Sequence, residues 1–183
     1  MARAGAALAL LVLLPGCLLD ERAVPGSHAP AFAALGLDGA PAGPDTLAGK
    51  VGVLHLFLLF SNRTVVPQTV HVLQAAYANA SRADVAFLSV GIEPGPGKAH
   101  SLAERLAEAQ RLRDLLGIPW PVAVERPDRV FNGAYHPPHD SFSYVLGRDG
   151  TIRATVGPNA TPACLAGLLD QVANQTQEVL YPC

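Results

Sequence analysis

Val51-Gly52-Val53-Leu54-His55-Leu56-Phe57-Leu58-Leu59-Phe60 is apolar throughout except for one histidine. A run of that length without alternation is what a central parallel strand needs when both of its faces are covered. Downstream, Pro67 to Ser81 carries Val70, Leu73 and Tyr77 at helical spacing, with Pro67 suited to a first helical turn. Val85 to Ile92 reads as a second buried strand and Gly91 to Lys98 as a loop. Ser101, with Glu104 three residues on, forms a capping box for a helix that runs to about Leu116 and stops at Gly117. Pro121 to Glu125 is a third strand, and Asp128 to Tyr135 reads as one short helical turn. Ser141 to Leu146 and Thr151 to Val156 flank Gly147-Arg148-Asp149-Gly150, the pattern of an antiparallel hairpin. Thr161 caps a last helix with Pro162 at its first position, running to about Gln177. Upstream, Leu18 to Pro44 is a Pro/Gly/Ala-rich lead-in with a hairpin turn at Asp38-Gly39. The order β-α-β-α-β-β-α predicts an α/β fold with a mixed central sheet flanked by helices.

With 183 residues, 50% of them hydrophobic and 15% charged, the chain is neither disordered nor a coiled coil. A net charge of −2 without a dense basic patch argues against a nucleic-acid partner. The 3 cysteines, Cys17, Cys164 and Cys183, are too few for a disulfide-built scaffold, and none sits in a C-x-x-C pair.

The first residues read as an address. Arg3 precedes an uninterrupted apolar run from Ala4 to Leu14. That run is about half of the roughly 20 residues that a membrane-spanning helix needs, so it fits a signal peptide over 1–16. Leu14-Pro15-Gly16-Cys17 resembles the lipobox of bacterial lipoproteins, with Pro15 a departure from the usual residue there. The resemblance implies cleavage before Cys17 and lipidation of it, with 17–25 a tether that anchors the domain 26–183 at the membrane, in the cell envelope facing the periplasm. An ordinary secretory signal with a chance cysteine is the other reading. Four of the five asparagines (Asn62, Asn79, Asn159, Asn174) sit in N-x-[ST] sequons, which in a chain secreted through the ER would accept glycans. Either route places the domain where disulfides persist. Removing 1–16 takes only Arg3 from the charged residues and leaves a net charge of −3.

From about Gly26 to Val172 the chain resembles the thioredoxin-fold redoxins. That group holds the alkyl hydroperoxide reductase/thiol-specific antioxidant proteins and the thiol-disulfide oxidoreductases. Gly26-Ser27-His28-Ala29-Pro30-Ala31-Phe32 is similar to the family's opening, and Leu37-Asp38-Gly39 and Leu47-Ala48-Gly49-Lys50-Val51 follow in its order. Tyr144-Val145-Leu146-Gly147-Arg148-Asp149-Gly150-Thr151-Ile152 resembles its penultimate hairpin. The resemblance implies a thioredoxin-like fold and an oxidoreductase ancestry.

It also implies where the nucleophile belongs: at a helix N-terminus, where the macrodipole and free N–H groups stabilise a thiolate. The thiol-disulfide pattern laid on Phe60 to Gln68 puts its two cysteines at Val65 and Gln68, and the peroxidase pattern puts its cysteine at Val66. The deiodinases, which share Phe60, Thr64 and Pro67, place their selenocysteine at Val65. Valine can neither ionise nor form a mixed disulfide. The family's cis-proline position falls on Ser141, with Pro137 and Pro138 a few residues early, and the nearest upstream arginine is Arg129. No catalytic residue carries over.

Cys164 falls in the first turn of the last helix, which the resemblance sets beside the sheet, away from the active-site turn. Cys164 and Cys183 are candidates for a structural disulfide, worth about 3 kcal/mol in the chain-entropy model; unpaired thiols and a redox-active pair stay open as alternatives. His136-Pro137-Pro138-His139-Asp140 places two imidazoles and a carboxylate on the loop facing the expected site, and His136 and His139 are weak metal candidates against the reading of a solvated turn. His55 reads as a hydrogen-bonded core histidine, and His71 and His100 as surface residues. Asp84, Asp149 and Asp170 read as turn or surface acids. No cofactor is implied. The expected turn over Ser61 to Gln68 should dock against Tyr135 to Ser141, leaving a shallow cleft with Val65 and Val66 at its floor and Tyr135, His136 and His139 at its rim. Two function classes compete: a non-catalytic binding or structural module with a protein or peptide partner at that cleft, and a thiol-disulfide or peroxidase-type enzyme working through Cys164 and Cys183.

Overall fold

The computed structural model describes residues 22–61, 65–80, 84–93, 100–126 and 131–174. Seven strands form one sheet: β1 (Ala34–Gly36), β2 (Pro41–Ala42), β3 (Val51–Leu58), β4 (Val85–Ile92), β5 (Val122–Glu125), β6 (Ser141–Leu146) and β7 (Ile152–Val156), in the order β2-β1-β5-β4-β3-β6-β7. β3, β4 and β5 are parallel, while β6 runs against β3 and β7 against β6, so β7 points the same way as β3. The sheet is therefore mixed, as the element order predicts. The Asp38-Gly39 turn joins β1 to β2, and that hairpin pairs antiparallel with β5.

Strand alternation divides the core into two layers. Val51, Val53 and Phe57 of β3 share one cluster with Val66, Val70 and Leu73 of α1 (Val65–Asn79), Ala109 of α2 (Leu102–Leu116) and Leu165, Leu168 and Leu169 of α3 (Pro162–Ala173). Leu54 and Leu56 face the other way, onto Phe32, Leu47, Phe131, Tyr135 and Tyr144. That second face is covered by the lead-in segment and a single π-helical turn, Phe131–Tyr135, which falls inside the expected short turn. Both faces of β3 are thus buried, which is why its sequence shows no alternation.

Local signals set most boundaries. Ser101 accepts the Glu104 amide at 3.3 Å, and Glu104 accepts the Ser101 amide at 2.8 Å. Gly117 ends α2 at φ 61°, a conformation that costs other residues roughly 1–2 kcal/mol. Thr161 caps α3 through the Cys164 amide at 3.2 Å. α1 begins two residues before Pro67, and α3 ends at Ala173, short of Gln177. β4 spans Val85–Ile92, as its apolar run predicts, and Gly91 pairs with both Phe57 and Val124. A Cβ there would lie 2.7 Å from Leu59 Cδ2, so any larger residue would force the buried Leu59 side chain to shift. Ser101→Ala is expected to lower stability by about 1 kcal/mol in urea denaturation, with an unchanged slope.

Candidate functional site

The carboxyl ends of β3, β4 and β5 lie at one edge of the sheet, where open α/β sheets place their ligands. β3 ends at Leu58. Leu59 donates to the Ile92 carbonyl at 2.8 Å, and Phe60, at φ 57°, turns the chain out of the sheet. The loop before β6 meets this turn, as Leu58 N donates to the Asp140 carbonyl at 2.7 Å and Ser61 Oγ to Asp140 Oδ2 at 2.9 Å. Ser61, the first residue of the expected turn, thus meets Asp140 of the expected loop, and residues 62–64 of that turn lie outside the described residues.

The cleft between them is not the one expected. Val66 is 4% exposed and belongs to the helical core layer, so it forms no floor. Tyr135 is no rim residue either. Its ring packs in the opposite layer, where its hydroxyl donates to the Pro30 carbonyl at 2.5 Å. Tyr144 donates to the Tyr135 carbonyl at 2.5 Å, and burial pushes its phenol up to about 12 and that of Tyr135 higher still. Neither phenol ionises near neutral pH.

Ser141, at the expected cis-proline position, begins β6 fully buried, and the described residues contain no cis peptide bond. Its hydroxyl meets His55 Nε2 at 2.8 Å, while His55 Nδ1 meets Ser89 Oγ at 2.9 Å and Trp120 Nε1 donates to that same oxygen at 2.8 Å. Ser141–His55–Ser89 has the connectivity of a hydrolytic triad, but all three residues are buried. Burial lowers the His55 pKa to about 3, so the ring is neutral and a feeble base. The line is a satisfied polar strip in the core, as expected for His55.

His100, expected at the surface, is part of the site. It is half-buried: its ring stacks on Phe60 at a 3.6 Å centroid distance and 16° between planes. Glu93, just past β4 and only 3% exposed, accepts from the His100 amide at 2.5 Å and lies 2.8 Å from His100 Nδ1. Arg105, buried in the first turn of α2, donates to the Glu125 carbonyl at 2.8 Å at the end of the neighbouring β5. The sequence signal for this cluster is a carboxylate directly after an apolar strand, followed by a histidine next to a helix cap. Neither feature is distinctive alone. Phe60, Ser61, His100 and Asp140, all partly exposed, line the chain just past β3. His136 and His139 are both exposed, and among the described residues no three His, Cys, Asp or Glu side chains gather as a metal site would require.

Gln68 is exposed on the first turns of α1. Cys164 corrects an expectation. Because β7 points the same way as β3, α3 starts at the same end of the sheet as α1, and the two helices pack together. Cys164 is therefore at the site end, not away from it. It is held in a disulfide whose partner lies outside the described residues. Cys17, Cys183, Arg129 and Asn62 also lie outside them; Asn79, Asn159 and Asn174 are exposed.

No protein-family model matches the chain, and no curated protein matches it in sequence. Solved structures do match. A thiol:disulfide interchange protein from a Bacteroides species superposes with a TM-score of 0.65 at 14% identity, covering 85% of this chain and 93% of that one. A thioredoxin-family thiol:disulfide interchange protein from Chlorobium tepidum gives 0.56 at 19%, covering 82% and 98%. Arabidopsis thaliana ScoI, solved with copper bound, gives 0.61 at 14%, covering 81% and 99%. The fold of this chain is thioredoxin-like, as the sequence resemblance implies.

Proposed function

We propose that this thioredoxin-like domain is a binding or structural module, anchored at the cell envelope by lipid on Cys17, and that it carries out no thiol chemistry at the fold's usual site. One observation carries the reading. α1 opens with Val65 and Val66 and has Gln68 at its fourth position, so the helix dipole there has no thiol to ionise. The opposing Ser141 supports it, since its hydroxyl is committed to His55. A protein or peptide partner would meet the surface made by Phe60, Ser61, His100 and Asp140, an aromatic and polar patch suited to an extended segment. A disulfide between Cys164 and Cys183 would pin the C-terminal segment to α3.

The mature domain is expected neither to reduce insulin disulfides nor to turn over peroxide above background. Thiol-dependent turnover abolished by Cys164→Ser would overturn the reading in favour of an oxidoreductase working through Cys164 and Cys183. The start of α3 at the site end favours that second reading. Secretion through the ER is favoured instead by the exposure of Asn79, Asn159 and Asn174. Mass spectrometry of the native protein separates these routes by the lipid on Cys17, the glycans and the disulfide connectivity.

A further inference from the structure

Tyr144 on β6 pairs with Thr155 on β7, and Phe142 lies two residues along the same face of the sheet. That face belongs to the second core layer. There Tyr135 meets Tyr144 edge-on at 5.2 Å between centroids, and Phe142 meets Tyr144 edge-on at 5.3 Å. The lead-in closes the other side. Ala23 N donates to the Ala134 carbonyl at 2.9 Å, and Ser27 Oγ donates to the Val24 carbonyl at 2.8 Å, which fixes a turn at 24–27. Between these walls a cavity of about 340 Å³ stays open. It shares no residue with the Phe60, Ser61, His100 and Asp140 surface.

The lining divides by chemistry. The Tyr135 hydroxyl donates to the Pro30 carbonyl and the Tyr144 hydroxyl to the Tyr135 carbonyl, so both phenol protons are committed and the rings supply apolar surface. Arg22 and His136 also line the cavity, and both are exposed. Thr155 is half-buried, and neither its hydroxyl nor the His136 ring has a hydrogen-bond partner among the described residues. No carboxylate is among the described residues that line the cavity.

Small-molecule sites are cavities of roughly 300–1,000 Å³, mostly apolar, with a few convergent polar groups, and this one lies near the lower end of that range. Ring surfaces favour an aromatic occupant, which they meet edge-on or offset. A cationic lining without acids favours an anion, and the planar Arg22 guanidinium matches a carboxylate in both charge and shape. His136 adds an N–H donor whichever protonation state its ring adopts.

We infer that this cavity binds a small aromatic carboxylate, with its ring against Phe142 and Tyr144 and its carboxylate held by Arg22 and His136. The site goes beyond the proposed function and depends neither on a lipid at Cys17 nor on the thiol-free turn. The test is an amide-shift titration of the full isotope-labelled protein with phenylacetate. Saturable shifts are expected at Ala134, His136, Phe142 and Thr155. Phenylacetamide keeps the shape without the charge, and acetate keeps the charge without the ring; each should bind at least about tenfold more weakly. Val24 is 50% exposed and lines the cavity, so Val24→Trp should fill it and abolish saturation. Arg22→Ala should weaken phenylacetate at least about fivefold, while Arg148→Ala, which removes an exposed cation from the β6–β7 turn, should leave it unchanged. Unshifted amides elsewhere in the spectrum show that these exposed variants fold. Shifts that do not saturate, or an equal loss with Arg148→Ala, overturn the site. Phenylacetamide binding as tightly as phenylacetate overturns the carboxylate assignment.

Discussion

Acidification from pH 7 to pH 4 is expected to remove about 3 kcal/mol of folding stability through His55 alone. In the folded protein its pKa is lowered to about 3 because burial denies the imidazolium any solvation. In the unfolded chain it titrates near the ordinary value of roughly 6.5. Between those two values the unfolded state binds the extra proton, so stability rises with pH across the window and falls as pH drops through it. The neutral ring contributes fully above about pH 7, and nothing further is lost below about pH 3. The measurement is the chemical-denaturation free energy of wild type and His55→Gln at intervals over this range. Carboxylates titrate in both proteins, so the difference between the curves isolates His55. Wild type should be steeper by up to about 1.4 kcal/mol per pH unit. The variant should start lower, by roughly 1–3 kcal/mol, because the Ser89 and Ser141 hydroxyls lose a well-placed partner. Parallel curves would mean that the ring is already charged or solvated in the folded state.

A protein carrying Val65→Cys and Gln68→Cys together is expected to gain a thiol far more reactive than a free cysteine. Position 65 opens α1 and position 68 lies one turn on, so the pair stands at the positive end of the helix dipole. If the first sulfur falls to the pKa of about 7 seen in C-x-x-C redox proteins, its thiolate fraction at pH 7 rises from about 3% to about half. The check is an iodoacetamide-reactivity titration with Cys164 and Cys183 blocked. A thiol pKa at or above roughly 8.5 would show that the β3–α1 turn is not equivalent to the family's active-site turn. The experiment also bears on the proposed lack of thiol chemistry at this site, since recovered reactivity would leave the missing sulfur as the principal difference.

Much of the fold was legible because the relevant signals are local. The Ser101/Glu104 box, Gly117 and the Thr161-Pro162 start each act within one helical turn, and each appears where its residues stand. The continuous apolar run of β3 announced a strand buried on both sides. The site was legible only in part. Chain position puts Tyr135 on the loop that faces the site, yet its π-helical turn swings the ring into the opposite core layer. His100 reads as a surface residue from its neighbours, because nothing adjacent in the chain shows that Phe60 lies flat against it. The position of Cys164 at the site end depends on the direction of β7, which feeds α3 and which no residue near Cys164 records.

What the sequence determined by itself is what nearest neighbours and periodicity encode: the element types, most of their ends, the turn residues, the absence of a cysteine anywhere between Cys17 and Cys164, and an α/β order compatible with one family of sheets. Tertiary structure alone decided which side chains meet. His55 and Ser141 are 86 residues apart, Ser61 and Asp140 are 79 apart, and both pairs exist because β6 inserts antiparallel beside β3. The burial that makes His55 acid-sensitive follows from that same strand order. Contacts across such separations depend on sheet register and strand direction, which no local run of residues records.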